Sequence, residues 1–232
     1  MSDVDLSRVW LGVAAQVWRR EPGWLERLAR RLLRSPGLAR ALMTTPSLLL
    51  GWVIATVAVL GAGAAATSWT GTPFVALFAP AVAGAGIAYA YGPGVDPAWE
   101  LSCSMAVSDR MVLLVRALAV FGLDAVLGLA ASVIAAAAGV SGSAAAVTFD
   151  WLVPMTAVCA LALAAATVAR SAVAGVAAGL AAWTITVLSS QSASGQFTAA
   201  VTDSALILPY LAFAAACTAV AWYATRIPKG AR

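Results

Sequence analysis

GPGVDPAWELSCSMAVSDRMVLLVR, residues 92–116, is a polar, charged interruption in an otherwise apolar chain, and its reading decides the fold. Asp96 offers an N-cap oxygen, and Pro97 suits the first helical position, where the amide hydrogen it lacks would have no partner anyway. A short helix therefore starts here, carrying Trp99, Leu101 and Met105 among Asp96, Glu100 and Asp109. Ser108 is a second start signal that launches a long hydrophobic run. The interruption reads as a short amphipathic helix, at about residues 96–106, between two membrane spans.

Outward from this stretch the composition is that of a membrane protein. Of 232 residues, 62% are hydrophobic and 10% charged, against a charged share near a quarter in soluble domains. The mean hydropathy is +0.91. Six apolar segments can be read, at 47–67, 73–91, 111–140, 151–169, 171–189 and 205–225. Most approach the roughly 20 residues that a helix needs to cross a hydrocarbon core. The third is longer and is expected to tilt or bend. The fold class is therefore all-α, a polytopic membrane protein with six transmembrane helices.

Basic residues favour cytoplasmic loops. All 14 lie in the N-terminal arm, in the second connection and its exit (Arg110, Arg116), at Arg170 in the fourth connection, or in the tail (Arg226, Lys229, Arg232). The other three connections hold none. This alternation places both termini in the cytoplasm and explains the net charge of +4 by topology. A nucleic-acid partner is not expected, because the basic groups follow a membrane face and no nucleic-acid-binding module is present. The first apolar run follows a long charged arm, so no cleavable signal peptide is expected.

Residues 1–46 form that arm. Leu6, Val9, Val13 and Val17 recur at helical spacing until Pro22-Gly23 breaks the pattern. Leu25, Leu28 and Leu32 then oppose Arg27, Arg30, Arg31 and Arg34, which makes a basic amphipathic helix. Such a helix lies in the membrane interface with its guanidinium groups near anionic headgroups. It serves either as an anchor and topology determinant or as a lever for a cytosolic partner.

Inside the spans Asp124 is the exception. A carboxylate at mid-membrane costs about 3 kcal/mol on insertion scales and usually faces a bundle interior, a polar partner or a water path. Arg116, Val120 and Asp124 share one helix face. Asp124 belongs either to a solute pathway or coupling element, or to a buried interhelical hydrogen bond. Gly175 and Gly179 make one small-xxx-small pair, a frequent chance occurrence in a chain this rich in Ala and Gly. Trp69, Trp151 and Trp222 fall near span boundaries, as an aromatic belt requires. Cys103, Cys159 and Cys217 are an odd set for which neither a disulfide nor a metal site is expected.

The topology and one local match together resemble an ABC-2-type permease, the membrane half of an ATP-binding-cassette exporter. Trp99-Glu100-Leu101, through Ala106-Val107-Ser108, to Leu113-Leu114-Val115-Arg116 is similar to that family's acidic-Leu, Pro-Val-Ser and basic pattern at the entry to the third span, with Ala106 in place of the proline. The resemblance implies that residues 47–232 form a six-helix permease domain whose coupling helix docks on an ATPase subunit. Asp96, Trp99, Glu100, Met105 and Arg110 are then the coupling residues, with Glu100 as the ionic contact. It implies a second permease copy or a related permease as a further partner, and an external gate near residues 191–203.

No GxxxxGK[ST] loop is present, so any ATP hydrolysis belongs to a separate chain. There is no histidine, no Gly-x-Ser-x-Gly elbow and no cluster of carboxylates, so the chain is not read as an enzyme and no cofactor is expected. A secondary transporter would carry more ionisable groups at mid-membrane. The competing reading is a membrane-embedded scaffold or signalling protein that binds its partner through the N-terminal arm.

Overall fold

A computed structural model describes residues 27, 31, 46–91, 109–137 and 144–226. The chain divides into two units, Met1–Met43 and Thr44–Arg232. In the first, Arg27 and Arg31 are helical and exposed; Arg30 and Arg34 lie outside the described residues. The second holds α1 (Pro46–Thr70), α2 (Phe74–Tyr89), α3 (Asp109–Ala137), α4 (Ala144–Ala169), α5 (Ala172–Ser194), the single turn α6 (Ala199–Thr202), a 3-10 turn (Ser204–Leu206) and α7 (Ile207–Ala224). Among the described residues there is no strand.

Five stretches are long and apolar enough to cross a membrane: Gly51–Thr70, Arg110–Ala137, Trp151–Ala169, Ala172–Ser194 and Ser204–Ala224. The chain is a multi-pass membrane protein. Large apolar side chains such as Ile54, Leu118, Ile134, Val173 and Leu208 point outward, as they do when lipid rather than water is the solvent. The second apolar segment yields a helix of only 16 residues, shorter than a bilayer crossing usually requires. Its neighbours account for this. It touches α1, α3, α4 and α5, so most of its surface meets protein.

The core around α2 is built from small residues. Ala76, Ala79, Ala83 and Ala88 of α2 are buried, with Ala162 and Val158 of α4 in the same cluster. Gly175 of α5 lies where α2, α4 and α5 converge: a Cβ there would stand 2.6 Å from the Ala162 carbonyl oxygen, 2.8 Å from Ala166 Cβ and 2.9 Å from Ala88 Cβ. The small-xxx-small pair read as a chance occurrence is thus a place of close backbone approach. On the outer side, α7 packs on α4 through Ala164, Cys217 and Ala221. Cys159 and Cys217 are free and buried.

Short connections set the helix order. Thr67 closes the turn between α1 and α2, donating to the Gly63 carbonyl at 2.7 Å and accepting from the Phe74 amide at 3.1 Å. This satisfies an amide that the first turn of a helix leaves without an internal partner. Between α4 and α5 only two residues intervene. Arg170 takes φ 53, the Ser171 amide donates to the Ala166 carbonyl at 3.1 Å, and the Ser171 hydroxyl caps α5 by accepting from Ala174. After α5, Gly195 ends the helix at φ 71. The connection then folds back, burying Ala200 and Val201, and Tyr210 of α7 donates to the Ala200 carbonyl at 2.9 Å.

Candidate functional site

Asp124 sits midway along α3, on the face that turns inward with Val120. It is 3% exposed and, among the described residues, is the only carboxylate inside the five spans. Its Oδ1 accepts from Trp52 Nε1 at 3.1 Å and from Thr56 Oγ1 at 3.4 Å. The two donors lie one turn apart on α1, so they reach a single acceptor. Gly86 of α2 makes room for the Trp52 indole, because a Cβ at that position would collide with the ring. Asp124 Oδ2 is enclosed and has no hydrogen-bond partner.

The site therefore fastens α1 to α3 through a polar knot inside an apolar bundle. Along the same seam runs an apolar groove of about 380 Å³, lined by residues such as Leu60, Gly61 and Ala64 of α1 and Leu127, Ala131 and Ile134 of α3. Its walls suit an alkyl chain. Among the described residues no three His, Cys, Asp or Glu side chains come together.

Replacing Asp124 separates the two contributions it makes. Asp124→Asn keeps a carbonyl oxygen for Trp52 and Thr56, and a stability within about 1 kcal/mol of the wild type is expected. Asp124→Ala strands a buried donor, Thr56, and a half-buried one, Trp52, and is expected to cost about 1–2 kcal/mol, since such bonds in membranes average near 0.6 kcal/mol with further loss where a donor stays unpaired. Thermal melts of the purified variants read both. A higher melting temperature for Asp124→Ala would mean that burying the carboxyl outweighs its two bonds.

Two other indoles also cross between helices. Trp151 of α4 is buried against Gly128, where a Cβ would approach its Cη2 to 2.6 Å, and its Nε1 donates to Ser132 Oγ at 3.2 Å. It is 1% exposed, which corrects its assignment to an aromatic belt: its ring fills the space opened by a glycine on α3. Trp183 of α5 donates to the Leu77 carbonyl of α2 at 2.8 Å. That carbonyl lies beside Pro80, whose missing amide hydrogen interrupts the helical ladder nearby. Trp69 remains 86% exposed.

The other sequence-derived residues divide as follows. Asp96, Trp99, Glu100 and Met105 lie outside the described residues. Arg110 stands in the first turn of α3, with its Cζ 3.0 Å from the centre of the Trp222 ring on α7. Arg116 is half-buried, two turns before Asp124, on the same face. Trp52 and Thr56, which complete the site, carry no periodic signal in the sequence because their span is apolar on every side. Their pairing with Asp124 spans 72 and 68 residues.

No family model, curated protein or solved structure matches this chain.

Proposed function

We propose that this chain is the permease subunit of an ATP-binding-cassette exporter of the ABC-2 type, in a bacterial inner membrane, with six crossings and both termini in the cytoplasm. The observation that carries the reading is the meeting of helix ends. Arg110 at the start of α3 lies over Trp222 near the end of α7, with Arg226 beside the same ring. With four of the five span-length helices, α3, α4, α5 and α7, running from Arg110 to Trp222, the chain returns to the face it left at Arg110. α2, about 24 Å long at 1.5 Å per residue, supplies the remaining crossing, shielded by its neighbours. All the basic connections then share one face.

On this reading residues 96–106 lie in the cytoplasm as the coupling helix. Trp99 and Met105 anchor it in the ATPase, Asp96 and Glu100 fix its register, and Arg110 joins it to α3. The ATPase closes on ATP and pushes this helix, while a second permease copy or a related permease completes the path. The arm at 1–46 lies on the cytoplasmic leaflet, with Arg27, Arg30, Arg31 and Arg34 toward the headgroups. The apolar groove between α1 and α3 supports an amphiphilic substrate.

The test is affinity purification of the tagged chain from its native membranes, comparing wild type with Glu100→Arg. An ATP-binding-cassette ATPase is expected with the wild type, with at least a tenfold loss in the variant, because reversing an interfacial charge pair costs several kcal/mol. Recovery of no such ATPase, with another partner retained through the arm and lost on substitution of Arg27 and Arg31, would replace the permease reading with the scaffold.

A further inference from the structure

Two guanidinium groups converge on one indole where α3 begins and α7 ends. The Cζ of Arg110 lies 3.0 Å from the centre of the Trp222 ring, and that of Arg226, just past the last turn of α7, lies 5.4 Å from it. The two Cζ atoms are therefore no more than about 8.4 Å apart. Like charges this close repel, and their attraction to the electron-rich ring face offsets only part of that repulsion. A counter-charge would stabilise the pair.

The described part of the protein does not provide one. Asp124 and Asp203, the carboxylates whose side chains are described, are engaged elsewhere, with Trp52 and Thr56 and with the Ala205 amide. Arg110 Nη2 is enclosed and lacks a hydrogen-bond partner. A donor hidden from water with no acceptor is costly and marks an unfilled bond.

The shape of the cluster specifies the missing anion. Guanidinium groups present a planar fork that matches phosphate oxygens, which accept charge-assisted bonds at about 2.8 Å. Two such forks gathered at one ring can both donate to a single phosphate. The cluster also opens outward, since Arg226 is exposed and Trp222 is 45% exposed. The membrane-crossing stretch ends at Ala224, two residues before Arg226, which puts the ring at headgroup depth.

We propose that Arg110, Trp222 and Arg226 form a phosphate-binding site at the membrane boundary, taking either the phosphodiester of an anionic lipid or free phosphate. Arg110 and Arg226 hold the phosphate oxygens, and Trp222 keeps both guanidinium groups in place. Occupancy clamps the start of α3 to the end of α7, two helices that both pack on α4.

The full chain, stripped of lipid in a neutral detergent, is melted and examined by native mass spectrometry with phosphatidylglycerol, with inorganic phosphate, and with sodium chloride at matched ionic strength. Phosphatidylglycerol is expected to raise the wild-type melting temperature by several degrees and to remain as one tightly held copy. Arg110→Gln/Arg226→Gln is expected to weaken that binding about tenfold, and Arg226→Gln alone, at an exposed position that does not threaten folding, about threefold. A full shift with inorganic phosphate, lost in the same variants, supports the site and assigns it to free phosphate. The proposal is overturned if neither phosphate-bearing ligand exceeds chloride, or if both variants respond as the wild type does.

Discussion

Gly175→Val is expected to lower the melting temperature of the purified chain by roughly 6–12 °C, the equivalent of about 3 kcal/mol in a protein of this size. The cause is local. The new Cβ would stand 2.6 Å from the Ala162 carbonyl oxygen, and that atom is backbone. No side-chain rotation relieves the contact, so α4 and α5 must separate, and Ala166 and Ala88 lose their packing with them. The contrast with Gly61 makes the test sharp. A Cβ at Gly61 meets nothing within 4 Å, so Gly61→Val is expected to change the melting temperature by less than about 2 °C. If both variants melt alike, close approach at the junction of α2, α4 and α5 does not hold the bundle together.

Trp151→Ala is the second large effect. In a soluble protein such a truncation costs about 3–5 kcal/mol, a sum of lost transfer energy and the cavity left behind. Here the unfolded reference is itself in lipid, so the transfer term shrinks while the cavity remains. The expected cost is about 2–3 kcal/mol. Trp151→Phe keeps an aromatic ring but loses the outer indole atoms that face Gly128 and the bond to Ser132, whose hydroxyl still donates to the Gly128 carbonyl at 2.8 Å. An intermediate cost of about 1–2 kcal/mol follows. Equal melting temperatures for the two variants would show that the outer indole atoms and the bond to Ser132, not the inner ring volume, support the contact of α3 with α4.

The helices were legible because membrane spans are written in local composition. The apolar segments at 47–67, 111–140 and 151–169 correspond to α1, α3 and α4, while the start signal at Ser108 lies outside the described residues. Local composition says nothing about which helix touches which. Gly175 looked like an accident of an Ala- and Gly-rich chain, yet three helices meet there. Trp151 stood at a span boundary and was read as a belt residue, because a boundary position and a buried one look identical without the glycine 23 positions earlier that receives the ring. Asp124 was conspicuous because a carboxylate is expensive in lipid. Trp52 and Thr56 were silent, because a tryptophan or a threonine in a span costs little and so announces nothing. The 16-residue α2 shows the same limit: a helix enclosed by four others is released from the length that lipid contact would impose.

The turn at Arg170 bears on how this protein is made rather than on how it holds together. Its left-handed backbone, φ 53, is where helices most often place glycine, and any other residue there costs about 1 kcal/mol. On the proposed topology this is also the only cation between α4 and α5. A glycine would relax the hairpin and erase the charge that keeps this turn from being translocated during synthesis. On that topology the native residue is the worse choice for the finished fold and the better one for biogenesis, where an inverted hairpin, once inserted, has no easy way back.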